Sequence, residues 1–347
     1  MAGSALLDVR DLSVSFATEG GAVRAVDGVD FELAPGEVLA IVGESGCGKS
    51  ATALTLLGLS RGPNATIGGT AGFAGTDLLA AGEEEMRRIR GDRIAMVFQD
   101  PMTSFNPVHR IGEQLVEQIR AHREVSVAEA RARAVELLDT VGIPDPEARA
   151  ASYPHELSGG MRQRAMIAMA LSLEPDVLIA DEPTTALDVT IQAQIIELLR
   201  RLNRERGLAI LLITHDIGVV AEIADRVAVM YAGEIVEQGS IDEIFYDPQH
   251  PYTWGLLGSV TRIDRPRPPR LPQIAGAPPS LVDPPSGCRF RSRCPHAFEP
   301  CPRHPGLDPR LAESVDHVDR CWLPPEEKRR RRQVGGIIAL EGGEGTR

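Results

Sequence analysis

Short apolar runs alternate with longer amphipathic segments through residues 1–240 of the chain. The runs are rich in Val, Ile and Leu and have the length of single strands: Val38–Val42, Ile94–Phe98, Val177–Ile179, Ala209–Ile213 and Val227–Met230. Helix-like sequence follows each run, and the apolar residues of Val189–Leu202 share one helical face. Buried strands that alternate with helices are typical of a parallel sheet covered on both faces. The pattern therefore predicts an α/β fold.

Two changes in this pattern suggest boundaries. Residues 106–172 are dominated by charged amphipathic helices, which predicts a helical subdomain inserted into the α/β core. Tyr231–Gly239 is predicted to be a hairpin that ends this core. Residues 241–347 then form an extension, and little regular structure is expected in its proline-rich part, residues 264–309.

The segment Gly43–Ser50 matches the phosphate-binding pattern G-x-x-x-x-G-K-[ST]. It lies between a predicted strand and the predicted helix Ala51–Leu59, which disfavours the alternative of a chance glycine-rich turn. The glycines let amide groups face phosphates at a helix N-terminus, Lys49 suits the β- and γ-phosphates, and Ser50 suits Mg²⁺. The expected nucleotide contacts here are Gly43, Ser45, Gly46, Cys47, Gly48, Lys49, Ser50 and Ala51.

A second element of the same chemistry is the acidic pair that ends the run Val177–Ile179. Asp181 is suited to coordinate Mg²⁺, and Glu182 can polarise an attacking water as general base. Two acids after a strand often only begin a solvated loop. Together with the phosphate loop, however, they indicate a P-loop nucleoside triphosphatase.

The segment Leu157–Gln163, with the sequence Leu-Ser-Gly-Gly-Met-Arg-Gln, closely resembles the signature of the ABC ATPases. Ser158, Gly159 and Gly160 would cap the N-terminus of a helix from Met161 to Leu171. Taken alone, this pattern is also that of an ordinary helix with a serine N-cap. The resemblance implies that these three residues clamp the γ-phosphate bound by an opposing subunit. Two ATP molecules would then be sandwiched in a head-to-tail dimer.

Other features of that family follow in the expected order. Gln99 resembles the glutamine that senses Mg²⁺ and the transport partner, and Ala186-Leu187-Asp188 resembles the D-loop. His215 resembles the switch histidine at the γ-phosphate, although a lone histidine at a strand end is more often structural. Phe16 resembles the aromatic residue that stacks on adenine, or is part of the core. The resemblance implies a RecA-like P-loop ABC nucleotide-binding domain in which Gln99 and His215 assist Glu182 in hydrolysis.

Further segments resemble the ATP-binding subunits of dipeptide and oligopeptide importers. They are Val97–Pro107, Gly160–Arg164, Ala180–Thr190, and His250–Thr253 with Leu256-Leu257. The resemblance implies a second ATPase subunit (a copy or a paralogue), two transmembrane permeases, and a periplasmic, extracellular or lipid-anchored substrate-binding protein. Importers of this family also carry nickel, haem, glutathione or sugars, so each of these remains an alternative to peptides as the cargo. A soluble ABC ATPase of repair or translation is disfavoured, because a long insertion and a second cassette are both absent from the sequence.

The extension carries Cys288, Cys294, Cys301 and Cys321 within residues 286–322. Clustered cysteines in a reducing compartment favour a metal over disulfides, yet the Cys-x₂₋₄-Cys pairs of most zinc sites are absent. The spacing leaves iron–sulfur, zinc and unmetallated thiols open. Resemblance to the peptide importers implies a structural 4Fe-4S cluster.

Charge and hydropathy restrict the location and the partners. The net charge of −12 disfavours nucleic acid as a partner. No apolar run approaches the ~20 residues that cross a bilayer, and the N-terminus lacks a signal-peptide pattern. We therefore expect a peripheral protein at the cytoplasmic face of the membrane. The basic run Lys328–Arg332 contains the arginines Arg329–Arg332, which are interpreted as a solvated tail, with contact to anionic lipid as the alternative.

Overall fold

The computed structural model describes residues 5–185, 187–259, 273–311 and 314–334. Ala186 of the predicted D-loop, the proline-rich Arg265–Pro269 and the glycine-rich C-terminal end lie outside these ranges. The chain divides into two compact units. The first contains Leu33–Val38 and Ala81–Ile213, and the second contains Leu6–Glu32, Leu39–Ala80 and the chain from Thr214 onward.

The strands are β1 Leu7–Thr18, β2 Gly21–Leu33, β3 Val38–Val42, β4 Ala65–Phe73, β5 Thr76–Asp77, β6 Ile94–Val97, β7 Val177–Asp181, β8 Ala209–Thr214, β9 Arg226–Tyr231, β10 Glu234–Ser240, β11 Asp308–Leu311 and β12 Ser314–Asp319. The helices are α1 Lys49–Leu56, α2 Glu83–Ile89, α3 Pro101–Ser104, α4 Ile111–His122, α5 Val127–Thr140, α6 Pro146–Ala150, α7 Gly159–Ala170, α8 Val189–Arg206, α9 Ile217–Ile223, α10 Ile241–Tyr246, α11 Pro251–Gly258 and α12 Pro325–Val334. No helix within the described ranges is both long enough and apolar enough to span a membrane.

In the first unit, β6, β7 and β8 are parallel neighbours in that order. All their residues are buried up to Ile213, as the continuous apolar runs predict. Helices α4 to α7 lie in the segment 106–172, where the sequence predicts amphipathic helices. Helix α5 begins with a capping box in which Ser126 and Glu129 bond each other's backbone amides. The carboxyl ends of β6 and β7 lie side by side, which matters for the site below.

In the second unit, β3 pairs in parallel with β9, and the strand order continues through β10 and β12 to β11. A separate sheet has the order β2-β1-β4-β5. The hairpin predicted at Tyr231–Gly239 is present as β9 and β10. The expectation that it ends the core is wrong, since β12 of the extension pairs with β10. The sequence of β12, Ser-Val-Asp-His-Val-Asp, hides this strand because its buried residues include His317 and Asp319.

Because Arg332 is buried, the basic run differs in part from the interpretation of its arginines as a solvated tail. It forms α12, and Lys328 is fully buried with its Nζ 2.7 Å from both carboxylate oxygens of Asp319. One turn further on, Arg332 bonds the carboxylate of Asp247 and the carbonyl oxygen of Pro248. Lys328 and Arg332 are four positions apart and therefore share a helical face. Burial of this face is tolerated because the charges of Lys328 and Arg332 are both paired with hydrogen-bond acceptors.

Candidate functional site

The phosphate loop of the second unit joins β3 to α1. Gly48 precedes the helix with a φ of 112°, in the left-handed region that favours glycine. A Cβ atom at Gly48 would collide with the carbonyl oxygen of Ala25, and one at Gly43 with that of Met230. The backbone is thus packed too closely at both positions for any other residue. This close packing restricts the curvature of the loop.

Lys49 lies inside this curve. Its buried Nζ donates to the carbonyl oxygens of Gly43 at 2.8 Å and Glu44 at 3.0 Å. The thiol of Cys47 is 3.8 Å from the same nitrogen, and burial raises the pKa of that thiol. Cys47 is therefore a buried neutral group and adds no negative charge to the loop. The arrangement places one ammonium group within a ring of backbone at the N-terminus of α1, which is suited to an anion.

The acidic pair of the first unit stands at the end of β7. Asp181 is the last residue of the strand and is buried. Glu182 has a φ of 47°, uncommon for a residue with a side chain, and its amide donates to the Ile213 carbonyl at 2.7 Å. Its Oε2 accepts from Gln99 Nε2 at 3.0 Å and from Thr185 Oγ1 at 2.8 Å. The structure thus brings together Glu182, the predicted general base, and Gln99, which the family resemblance implies for the same reaction.

The signature residues begin α7 in the same unit. Ser158 caps the helix by accepting from the Met161 amide at 3.3 Å, as predicted, and both Ser158 and Gly159 are exposed. A Cβ atom at Gly160 would lie 2.7 Å from Cγ2 of Ile191 on α8. Asp188 of the predicted D-loop caps α8 by accepting from the Ile191 amide at 2.9 Å. Signature and D-loop residues therefore meet where α7 packs on α8.

His215 and Phe16 belong to the second unit. His215 follows β8 and is exposed, directly before Asp216, which caps α9. Phe16 lies on β1, half-buried, in register with Ala65 of β4. Their roles at the γ-phosphate and the adenine stay predictions.

Sequence reasoning missed three side chains near the predicted site residues. Thr185 holds Glu182, as described above. Tyr252 and Arg293 both contact Glu44 of the phosphate loop. A hydroxyl three residues after Glu182 gives a local signal. Tyr252 and Arg293 lie 208 and 249 positions from Glu44, so no spacing pattern reveals them.

The cysteines of the extension, Cys288, Cys294, Cys301 and Cys321, line one narrow cavity beside Phe290. Burial raises the pKa of Cys288 and of Cys294 to about 11 and that of Cys321 to about 12, so these thiols are protonated at neutral pH. All are free of disulfides. Within the described residues, no group of three or more His, Cys, Asp or Glu side chains is placed to hold a metal ion. The predicted zinc alternative thus has no support here, nor has a preformed metal site of any kind.

Two family models match the chain. The model described as ABC transporter matches residues 26–185, which include the phosphate loop, the signature and the acidic pair. The model described as oligopeptide/dipeptide transporter, C-terminal region, matches residues 236–301. The second match covers the first three cysteines of the extension.

Relatives of known name match nearly the whole chain. The dipeptide transport ATP-binding protein DppD of Bacillus subtilis is 53% identical over 320 residues, covering 92% of this chain and 94% of its own. The oligopeptide transport ATP-binding protein OppD of Escherichia coli is 51% identical over 323 residues, covering 93% of this chain and 94% of its own.

Solved structures support the fold. A dimeric ATP-binding cassette bound to ADP and Pi has a TM-score of 0.62 at 27% identity, covering 68% of this chain and 98% of its own. The protein cbiO1 of Clostridium perfringens, part of an ABC transporter complex, has a TM-score of 0.60 at 29% identity, covering 71% and 92%. The predicted α/β P-loop fold is thereby confirmed. The chain belongs to the ATP-binding proteins of the oligopeptide/dipeptide ABC transporter family.

Proposed function

We propose that this chain binds and hydrolyses ATP to power the import of dipeptides or oligopeptides across the cytoplasmic membrane. The observation that carries the ATPase part is the phosphate loop closed around the buried Lys49 ammonium. The match of residues 236–301 to the peptide-transporter C-terminal region supports the cargo. The names of the full-length relatives agree with both parts.

In the proposed binding step, backbone amides of residues 45–50 and the Lys49 ammonium hold the phosphates, and Phe16 stacks on adenine. Lys49 exchanges its two carbonyl partners for phosphate oxygens. Ser50, Gln99 and Asp181 would supply oxygen ligands for Mg²⁺, and the bound cation would neutralise phosphate charge. The residue types fit this cation, since hydroxyl, amide and carboxylate oxygens are suitable ligands for it.

In the proposed hydrolysis step, Glu182 orients the attacking water and accepts its proton. The water oxygen bonds to the γ-phosphorus while the bond from that phosphorus to the bridging oxygen breaks, which releases ADP and phosphate. Gln99 and Thr185 hold the Glu182 carboxylate through hydrogen bonds at 3.0 and 2.8 Å, so its direction is set in advance. His215 contacts the γ-phosphate.

Coupling to transport requires partners. The start of α7, with the exposed Ser158 and Gly159 and the half-buried Gly160, clamps the γ-phosphate held by a second ATPase subunit, and Asp188 lies at the same interface. Closure of the two subunits drives two transmembrane permeases, to which the segment after Gln99 couples. A substrate-binding protein outside the cytoplasm delivers the peptide. The chain itself acts peripherally at the cytoplasmic face of the membrane.

A 4Fe-4S cluster held by Cys288, Cys294, Cys301 and Cys321 is part of the proposal. It is supported by the convergence of all four cysteines on one cavity, although their thiols are not grouped tightly enough for a single ion. The cluster would join the turn at Cys288 to Cys321, two residues beyond β12, and so act structurally. We expect the purified protein to contain iron and to absorb visible light, and we expect Cys321→Ser to lose both properties. Colourless, iron-free protein purified without air would contradict the cluster.

The Glu182→Gln variant tests the ATPase mechanism. It keeps the fold and the hydrogen-bonding shape of the side chain but removes the base, so turnover should fall by about 10²–10⁴-fold. Its affinity for Mg-ATP should stay within about threefold of wild type, since Glu182 is not proposed to bind phosphate. Lys49→Ala provides the contrast and should lose binding. Normal turnover by Glu182→Gln would exclude Glu182 as the base.

A further inference from the structure

Glu44 occupies the first x position of the phosphate-binding pattern G-x-x-x-x-G-K-[ST]. It therefore places a carboxylate in a loop that must bind the polyanionic triphosphate. Its side chain is 25% exposed, so water screens its charge only in part. Without a cationic partner, the negative charge of this carboxylate would repel the triphosphate. The structure supplies two partners for Glu44, and both come from beyond β10.

Arg293 is the partner of the carboxylate. Its Nη1 lies 2.6 Å from Glu44 Oε2 and its Nη2 lies 3.0 Å from Oε1, a two-pronged contact that fixes both groups. Only 4% of the Arg293 side chain is exposed. Its other donors bond the carbonyl oxygens of Ala275 and Ile274 at 2.9 and 3.3 Å and the hydroxyl of Tyr231 at 3.3 Å. These contacts together fix the orientation of the guanidinium.

Tyr252 is the partner of the Glu44 backbone. Its hydroxyl accepts from the Glu44 amide at 2.9 Å, which uses a donor that no intraloop group takes. The ring is buried and packs against Tyr231 and Phe290, with centroids 4.6 and 5.5 Å away. Arg293 lies over the same two rings, 5.7 Å from Tyr231 and 6.0 Å from Phe290. The outer side of the loop thus rests on an aromatic wall.

The turn that carries Arg293 begins and ends at cysteines. The Arg291 amide donates to the carbonyl oxygen of Cys288, and the Arg293 amide donates to the carbonyl oxygen of Phe290. The Cys288 amide in turn donates to Cys301 at 2.9 Å. Whatever sets the shape of this turn also sets the position of Arg293 on the phosphate loop.

We infer that Arg293 and Tyr252 are positioning residues for nucleotide binding: Arg293 cancels the Glu44 charge, and the two together hold the outer side of the phosphate loop. ATP affinity then depends on the C-terminal extension as well as on the P-loop itself. This inference rests on the proposed role of the phosphate loop. Neither residue is assigned a contact with ATP.

The variant Arg293→Met tests the charge effect. It leaves Glu44 uncompensated, and the dissociation constant of Mg-ATP should rise by at least about tenfold at low salt. The loss should shrink as ionic strength rises, because salt screens the carboxylate. A second change, Glu44→Gln in the Arg293→Met background, removes the repulsion and should restore most of the affinity. Binding is measured by calorimetry or with a fluorescent ATP analogue on the full chain.

Arg289→Met is the matched control. Arg289 is equally buried in the same turn and pairs with Asp27 and Glu234, without contacting Glu44. Its loss should lower the melting temperature yet leave ATP affinity within about twofold, whereas a general loosening of the turn would weaken binding in both variants. Tyr252→Phe, which leaves the Glu44 amide without its acceptor, should weaken binding several-fold independently of salt.

The outcomes separate the two proposals. Normal ATP affinity in Arg293→Met, or no rescue by Glu44→Gln, would overturn the role of Arg293. If Arg293→Met does not fold, Arg293→Lys replaces it: the charge is kept and the fork is lost, so affinity should fall less than fivefold. A larger loss in Arg293→Lys, unaltered by Glu44→Gln, would equally overturn it. Normal binding by Lys49→Ala would instead refute the phosphate-loop site itself.

Discussion

The buried pair between Lys328 and Asp319 gives the sharpest prediction about the extension. Their side chains are 0% and 1% exposed, and Nζ lies 2.7 Å from both carboxylate oxygens. Lys328→Met keeps the volume and removes the charge, so the carboxylate of Asp319 is left buried without a cation. Breaking such a pair costs about 3–5 kcal/mol, because the remaining ion keeps its desolvation penalty. His317 on the same strand is a nearby positive group when protonated, which favours the lower half of that range.

Unfolding followed by circular dichroism measures this loss. At about 2–4 °C per kcal/mol, the lower half of that free-energy range predicts that the midpoint of Lys328→Met falls by roughly 6–16 °C. The double variant Lys328→Met/Asp319→Leu should regain most of the loss, since an apolar pair replaces the ionic one without leaving a charge behind.

Arg329→Met is the control from the same helix. Arg329 is 49% exposed and lies 3.3 Å from Asp247, so its loss should cost less than about 1 kcal/mol. If Lys328→Met melts within about 2 °C of wild type, or no lower than Arg329→Met, the buried pair does not hold α12 and the reasoning fails.

Two further predictions concern coupling and pH. Gln99→Ala should bind ATP nearly as well as wild type but lose transport, because Gln99 is proposed to link the site to the permeases; unchanged uptake in cells would contradict this role. Burial would lower the pKa of His317, but the hydrogen bond and charge of Glu237 outweigh it and the net pKa is raised. Its stabilising effect is therefore complete below about pH 6.5 and is lost as pH rises through the higher folded value. Unfolding midpoints from pH 6 to 9 should consequently fall more steeply for wild type than for His317→Gln, and parallel curves would exclude this titration.

The parallel strands could be predicted from the sequence because both of their faces are buried. Val38–Val42 and Val177–Asp181 are buried at every position, and apart from Asp181 their residues form continuous apolar runs. The antiparallel sheet was missed because β1 and β2 mix buried, intermediate and exposed positions. Strand β12 was missed for a different reason. Its buried positions include ionic groups, and their partners lie elsewhere in the chain.

The candidate site divides in the same way. Residues whose role depends on local backbone were predictable: Lys49 follows a glycine loop, and Ser158 precedes the helix it caps. The contact between Gln99 and Glu182 could be expected once two parallel strands were placed side by side. Contacts made by side chains across long separations could not. Arg293 reaches Glu44 only because the extension folds back on the phosphate loop.

Peptide uptake tests the central claim most directly. Cells lacking this chain are supplied with wild type or with Glu182→Gln, and the accumulation of a labelled dipeptide and a labelled oligopeptide is measured. We predict that wild type restores uptake of at least one peptide and that Glu182→Gln, expressed at the same level, does not. Full uptake without the chain, or equal restoration by Glu182→Gln, would contradict the account that ATP hydrolysis by this chain powers peptide import.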